Sequence, residues 1–429
     1  MKVILSMPGI DPAKVGHFRV VTELAGGIDL STTQTKTDLQ PEWGLSQFNP
    51  WDRRITEQNI WPIYRAMRQQ GPVVYSEALG GFWCVTRYKE VRTAALDYRN
   101  LSSGHVLEIG KQNWTNKPRV RLIETDPPEH TRHRKAMQAP ILQKRMGEFS
   151  NGIRESVQDL LDHIAQKGEF DIVADLAEPI PQEVLGRILG FDEETRRRNR
   201  ELVRKFVQAD LETSEEAHGA FWEFLIETIE DRLRHPGEDF LSQLCMTEVD
   251  GQRFTESELV GMLHGFALAG HHTAIDAISS MLLHVSDDYI KHAYQDDPSI
   301  GTQIVEETLR IASPIHLEGR STTTDIVIGD VNIPAGESVA LLYASANHDE
   351  SQFDNPEEFN PKRTAIQHLA FGYGIHMCIG LHLARLEMNV VLEEMVKRFP
   401  NYRVTGTPEG TGMVFGHHMG WESIPAAIA

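Results

Sequence analysis

Phe371-Gly372-Tyr373-Gly374-Ile375-His376-Met377-Cys378-Ile379-Gly380 is the stretch from which this chain is best read. Three of its ten residues are glycine. That content excludes regular helix or strand and predicts a tight turn whose backbone passes close to something flat. One cysteine lies inside it, and a helix is predicted directly afterwards, from Leu381 to about Phe399. A thiol at a helix N-terminus is biased toward thiolate by the dipole and the free backbone N–H groups. A single thiolate in a glycine-rich bend suits a haem iron, because such a ligand pushes electron density toward O–O cleavage.

Phe371, Gly374, His376, Cys378 and Gly380 resemble the haem-binding loop of the cytochrome P450 monooxygenases, and Leu383-Ala384-Arg385-Leu386-Glu387 continues the likeness. The resemblance implies a haem b with Cys378 as axial thiolate, dioxygen as cosubstrate, and Phe371, Gly372, Gly374 and Gly380 against the cofactor. It also implies the P450 fold, with haem between an oxygen-activating helix and the helix that follows the Cys loop.

The rest of the sequence is consistent with this. A net charge of −20 and a pI near 5.4 argue against general nucleic-acid binding, though local basic patches remain compatible with them. Cys84, Cys245 and Cys378 are odd in number and far apart, with no CxxC or CxxCH. A disulfide framework, a Cys-rich zinc site, an iron–sulfur cluster and a c-type haem are therefore disfavoured, and a reducing compartment such as the cytoplasm fits. The apolar run at Met1–Pro8 is too short for a signal peptide or anchor, and no apolar stretch has the length of a bilayer span. A soluble, monomeric enzyme of bacterial type is expected.

Residues 1–50 read as an irregular extension and 51–429 as one domain, mainly α with a small β portion. Val73-Val74-Tyr75 and Phe82-Trp83-Cys84-Val85 flank Leu79-Gly80-Gly81 as a predicted hairpin. A second hairpin is predicted about Gly329-Asp330, and most of 128–318 has a helical pattern. Asp126-Pro127-Pro128-Glu129 predicts a helix start with Asp126 as its cap.

His130 and Arg134, four apart, share a face of that helix; spacing alone would also suit a solvated charge pair. The resemblance makes them haem-propionate ligands, joined by Arg320 and His376. Glu307 and Arg310 are three apart, a spacing equally suited to a surface ion pair. In the family they form a buried structural network with the position matched by Arg363.

Thr255-Glu256-Ser257-Glu258 is a capping box, and a long apolar helix is predicted from it to about Val285. Ala269-Gly270-His271-His272-Thr273 stands in its middle. By resemblance Gly270 permits a local distortion beside the haem, and Thr273 steers protons during oxygen activation. Most family members carry Asp or Glu where this chain has His272. The five-residue string is similar to that of the sterol 14α-demethylases, whereas the haem loop and following helix look like those of bacterial terpene- and camphor-oxidising members. A His with an ordinary pKa of about 6.5 could relay protons near neutrality, or could simply pack away from the site.

The family's substrate-contact segments fall on Gly265, Leu268, Ala269, Ile315, His316, Leu317, His417 and His418. Gly265 is expected to leave space. The three histidines point to an oxygen-bearing substrate, undergoing hydroxylation or O-demethylation, unless they bond to backbone or to one another. A haem-thiolate sensor and a peroxide-driven haem enzyme are the alternatives; Thr273 and Gly270 weigh against the first, and retention of Thr273 against the second. No flavin or nicotinamide motif is present, so electrons are expected from a separate ferredoxin and its reductase. Arg132, Lys135 and Arg385 are the candidate docking cations for that partner.

Overall fold

The computed structural model describes residues 44–428 apart from 53, 105–108, 110–118, 209–213 and 365, and the side chains of 207–208 and 214–218 also lie outside the description. Most of the 1–50 extension is thus outside the described residues. Its last part, from Gly44, is packed: Leu45 and Phe48 are buried beside Tyr64 and Phe82.

Helix α1 (Ile60–Gln70) leads into strands β1 (Val73–Ser76) and β2 (Phe82–Val85), helix α2 (Tyr88–Leu96) and strand β3 (Leu101–Ser102). The central helices are α3 (Glu129–Met137), α4 (Met146–Lys167), α5 (Pro179–Leu189), α6 (Glu193–Gln208), α7 (Ser214–Arg234) and α8 (Phe240–Met246). Strand β4 (Glu169–Asp171) lies between α4 and α5, and the short pair β5 (Glu248–Val249) and β6 (Gln252–Arg253) follows α8. Then come α9 (Glu256–Ala269), α10 (His272–Val285), α11 (Asp288–Asp296) and α12 (Gly301–Ala312). The chain continues through β7 (Glu318–Thr322), β8 (Ile326–Ile328), β9 (Val331–Ile333), β10 (Ser338–Leu341), α13 (Tyr343–Asn347) and α14 (Leu381–Arg398). It ends in β11 (Arg403–Val404), β12 (Glu409–Gly410), β13 (Trp421–Ser423) and β14 (Pro425–Ala427).

Both predicted hairpins form: β1 pairs antiparallel with β2, and β8 with β9. The main sheet has the order β1-β2-β10-β7-β3, with β10 parallel to β2 and the other pairings antiparallel. The largest apolar core gathers α4, α5, α9, α10, α12 and α14. Leu259, Leu263, Ile278, Leu282 and Val391 there are fully sequestered from water, each burial worth about 1.5–3 kcal/mol.

Two expectations are corrected. Asp126 does not cap α3; its carboxylate accepts from the Ser102 hydroxyl and, at 3.0 Å, from the Ser103 amide. It therefore clips the segment before α3 to the edge strand β3. The helix expected from the capping box to Val285 is two helices, interrupted at Gly270-His271. The capping box itself is present, with Thr255 and Glu258 bonded reciprocally.

Glu307 and Arg310 have no solvent exposure. Arg310 binds Glu307 through Nε and Nη2, each at 2.8 Å, and Arg363 Nε adds bonds of 3.0 and 3.1 Å. Arg310 also donates to the carbonyls of Asn347 and Pro356. An ionised carboxylate survives full burial only with such compensation. Glu307→Gln should therefore lower unfolding stability by about 3–5 kcal/mol, since it strands two arginines; urea unfolding of the purified protein measures this.

Burial holds His271, His316 and His348 down at about 3 each. Below an unfolded-state value of about 6.5 the unfolded chain takes up protons that the folded chain does not, so these groups contribute stability at neutral pH that is lost as pH falls toward about 3. The thermal midpoint should fall between pH 7 and about pH 5, ahead of most carboxylate titration. The decline should be shallower in His348→Phe, which keeps the stack on Trp61, seen here at 4.2 Å. An identical pH slope in the two proteins would contradict the assignment.

Candidate active site

The Cys loop is shaped by its glycines and by one cross-loop bond. The Cys378 amide donates to the Phe371 carbonyl at 2.8 Å, which closes the bend. Gly374 has φ +75°, and a Cβ there would come within 2.5 Å of the Ala95 carbonyl oxygen. Only glycine combines that backbone conformation with so close a passage over α2. Gly372 also has positive φ, and Gly380 stands at the N-terminus of α14, where a Cβ would lie 3.7 Å from the Cys378 sulfur.

Cys84 and Cys245 are buried, whereas Cys378 is accessible. Desolvation by the surrounding protein nonetheless pushes the thiol pKa up against the opposing pull of the Gly380 amide, Arg134 and Arg385. Such a thiol gains much from exchanging its proton for a metal ion, because the ion then neutralises the buried charge.

A cluster of basic side chains meets beside this loop. His130 and His376 lie 4.5 Å apart between ring centroids. Burial, then Arg320, His130 and Arg134, holds His376 down at about 2. Burial, then Arg134 and His133, holds His130 at about 4. Arg134 donates to the Ile375 and Met377 carbonyls, and Arg320 to the Gly319 carbonyl. Neither arginine has an ion-pair partner among the described residues, and His130 Nε2 is buried without a hydrogen-bond partner there. The carboxylate that acts on His130, Asp126, is already held by Ser102 and Ser103. Cations and imidazoles without an adequate counter-charge fit a ligand that brings its own carboxylates, as haem does through its propionates. The donor set of one accessible thiol, a glycine-lined bend and this basic cluster fits haem.

The interrupted helix supplies a second accessible surface. Ala269 and Gly270 are exposed and Leu268 partly so, although most of α9 before them is buried. A Cβ on Gly270 would stand 3.0 Å from the Phe266 carbonyl oxygen and 3.4 Å from Leu185 of α5, so glycine allows α5 to approach the break. Thr273 Oγ1 donates to the Ala269 carbonyl at 2.8 Å, which ties the start of α10 to the end of α9. His271 Nε2 lies 3.0 Å from Gln182 Nε2 on α5. His272 stands between His271 and His418, with ring centroids at 4.6 and 5.9 Å. Burial, reinforced by those two histidines, keeps its pKa well below the ordinary imidazole value, so His272 is neutral near pH 7.

Several of the expected substrate contacts are placed differently. Gly265 is buried, and a Cβ there would stand in ordinary contact with the Arg121 carbonyl oxygen at 3.4 Å and Val120 Cγ1 at 3.5 Å. His316 is buried, with Nδ1 3.2 Å from the Tyr64 hydroxyl and its ring over Trp61 at 5.3 Å. Leu317 is fully buried in the core around α1. His418 is buried against Asp276. Ile315 and His417 remain partly accessible, as do Leu268, Ala269 and Phe415. The polar-pocket argument thus keeps one of its three histidines, because Tyr64 and Asp276 occupy the other two.

The expected docking cations are mostly spoken for. Arg132 binds Glu258 at 2.6 Å and the Arg253 carbonyl at 2.8 Å, and lies over Phe254 at 4.0 Å. It clamps α3 to β6 and the start of α9. Arg385 makes two bonds to Glu306, at 2.6 and 2.7 Å, and stacks on Phe371. Lys135 is exposed and faces Asp250 at 3.5 Å. Helical spacing cannot show such partners, which come from distant parts of the chain. It also missed Asp276, whose only signal was a lone acid in an apolar helix.

Residues 299–407 match the family model described as cytochrome P450. The chain is 32% identical over 379 residues to cytochrome P450 107B1 of Saccharopolyspora erythraea, covering 84% of this chain and 93% of that one. It is 32% identical over 363 residues to nocardicin C N-oxygenase of Nocardia uniformis, covering 82% and 91%. Among solved structures, the post-tailoring hydroxylase HmtN of himastatin biosynthesis superposes with a TM-score of 0.77 at 28% identity, over 89% of this chain and all of that one. No described helix is long and apolar enough to cross a membrane. The chain belongs to the cytochrome P450 family of bacterial haem-thiolate monooxygenases, whose members bind haem through a cysteine thiolate and use dioxygen.

Proposed function

We propose that this chain inserts one oxygen atom of dioxygen into a small organic substrate presented at Leu268, Ala269, Ile315 and Phe415, with Cys378 as the haem ligand. The observation that carries the reading is the pairing of an accessible cysteine in its glycine bend with an accessible helix interruption ending in Thr273. Bound haem supplies the iron at which dioxygen is reduced. The protein's part is binding, orientation and proton supply. Arg134, Arg320, His130 and His376 would hold the propionates, and Gly372, Gly374 and Gly380 would leave room for the cofactor beside the loop. Thr273 holds a hydroxyl at the helix interruption, where it can pass on a proton.

The substrate is a predominantly apolar molecule, with His417 as a polar contact near Glu318. Nocardicin C N-oxygenase and the himastatin hydroxylase act on natural products, by their names, and this supports a secondary metabolite as the substrate class. Hydroxylation or O-demethylation suits such a pocket. Electrons come from a separate ferredoxin and reductase. Docking over the exposed Met377 next to Cys378 fits, with Lys135 and the exposed Arg92, which lies over Tyr373 of the Cys loop, as its cations. The body of the chain from Gly44 acts as one domain in the cytoplasm.

The carbon monoxide adduct of the reduced protein should show the red-shifted absorption of thiolate ligation. Cys378→His should abolish that band while retaining haem, and Cys84→Ser and Cys245→Ser should keep it; survival of the band in Cys378→His refutes the ligand assignment.

Thr273→Ala should consume dioxygen at near wild-type rate but divert electrons to hydrogen peroxide, because the hydroxyl no longer directs the proton. Peroxide yield per reducing equivalent, measured with a substrate identified by its shift of the haem absorption, checks this. Unchanged coupling would remove Thr273 from the mechanism.

A further inference from the structure

Ser102 ends the edge strand β3, paired with Ser321 of β7, and Ser103 follows it beside the strand that carries Arg320. Both serines are buried. A buried hydroxyl has one proton to place, and free energy is lost if no acceptor meets it. Ser102 places its proton on Asp126 Oδ2 and accepts from the Gly104 amide at 3.0 Å. Asp126 Oδ1 accepts from the Ser103 amide at 3.0 Å, so both carboxylate oxygens are taken by one bend of the chain. Gly104 lets the bend close, since a Cβ there would stand 3.2 Å from both Asp126 Oδ2 and Ser102 Oγ.

With its amide fixed by Asp126, Ser103 points its hydroxyl at the Cys loop, where Oγ lies 3.1 Å from His376 Nε2. Ser103 is 2% exposed, and that nitrogen is the one hydrogen-bond partner of its hydroxyl among the described residues. A proton on Nε2 would leave the hydroxyl's own proton stranded in the interior. With Nε2 bare, the hydroxyl donates to it and nothing is stranded. The ring proton of His376 then stands on Nδ1, because the bond made by one imidazole nitrogen decides which nitrogen is protonated. The Leu122 carbonyl acts on the ring as an acceptor, and an ionised carboxylate competes well for the same proton.

We propose that Ser103, held by Asp126, is a positioning residue for the haem carboxylates: it fixes the His376 proton on Nδ1 and makes that ring a donor of set direction. The proposal rests on the reading of His376 as a propionate ligand. A neutral imidazole has a single N–H, and with its other nitrogen unengaged the ring could turn a lone pair toward a carboxylate instead. Asp126 acts through Ser103 and Ser102 and keeps both of its oxygens away from the cations of the cluster.

The test uses holoprotein labelled with 15N-histidine, reduced and bound to carbon monoxide so that it is diamagnetic. The His376 resonances are those missing from His376→Ala. In the wild type the ring should carry its proton on Nδ1. In Ser103→Ala the two tautomers should mix, and Ser103→Thr, which keeps the hydroxyl, should restore the wild-type spectrum. In parallel, transfer of haem from the ferric protein to excess apomyoglobin should speed about tenfold in Ser103→Ala and in His376→Ala, with no further gain in the double variant. Ser103→Thr should return it to within about twofold of the wild type. A His376 ring protonated on Nε2 in the wild type, a wild-type spectrum in Ser103→Ala, or additive effects in the double variant overturns the proposal. Should Ser103→Ala fail to fold, the wild-type tautomer still decides, since it is read without any serine variant. Wild-type haem transfer in His376→Ala overturns the propionate reading and with it the positioning role, whereas a wild-type spectrum in Ser103→Ala overturns the part of Ser103 alone. The thiolate-type carbonyl band of each variant shows that its haem site is intact.

Discussion

A fully buried carboxylate is the constraint on which the haem side of this structure depends. Glu307 cannot remain ionised without solvent unless its oxygens are saturated, and Arg310, Arg363 and the Asn360 amide saturate them. Meeting that demand pins α12 to the loop at 354–363. Arg310 also reaches the Asn347 carbonyl, and the Asn347 side chain accepts from the Leu369 amide two residues before Phe371. The Cys loop is therefore anchored through a short series of buried polar bonds, each costly to leave unmade.

The opposite wall depends on a weakness made deliberate by packing. Gly270 lets α5 approach and ends α9, and Thr273 rejoins the two helices through the Ala269 carbonyl. Two histidines follow the break, and both are desolvated enough to be neutral at pH 7. Their desolvation opposes the gain of a second proton, so each ring stays a neutral donor and acceptor beside the break.

Burial also explains why charge counting along helices overstates free cations. In a chain of net charge −20, most arginines among the described residues pair with acids. Arg132 and Arg385 are each in charge-assisted bonds that use their guanidinium forks. Their worth lies in joining elements: α3 to the start of α9, and α14 to α12.

The sequence by itself determined the haem-thiolate reading, through the likeness of its Cys loop to the family's, and both hairpins, the capping box and the helix after Cys378, which rest on local rules. Glycine permits φ +75° at residue 374, Thr and Glu three apart cap a helix, and alternating apolar residues about a glycine turn pair as strands. Local rules misjudged Asp126, whose carboxylate had a better use on β3 than as a cap, and they drew one helix across Gly270. Only the tertiary structure decided which histidines are available to a substrate. His316 turns to Tyr64 and His418 to Asp276, 252 and 142 positions away in the chain, with His418 less accessible than its neighbour His417. The physical reason is that a buried polar atom takes whichever partner the fold brings within hydrogen-bond reach, and a one-dimensional pattern does not contain that distance.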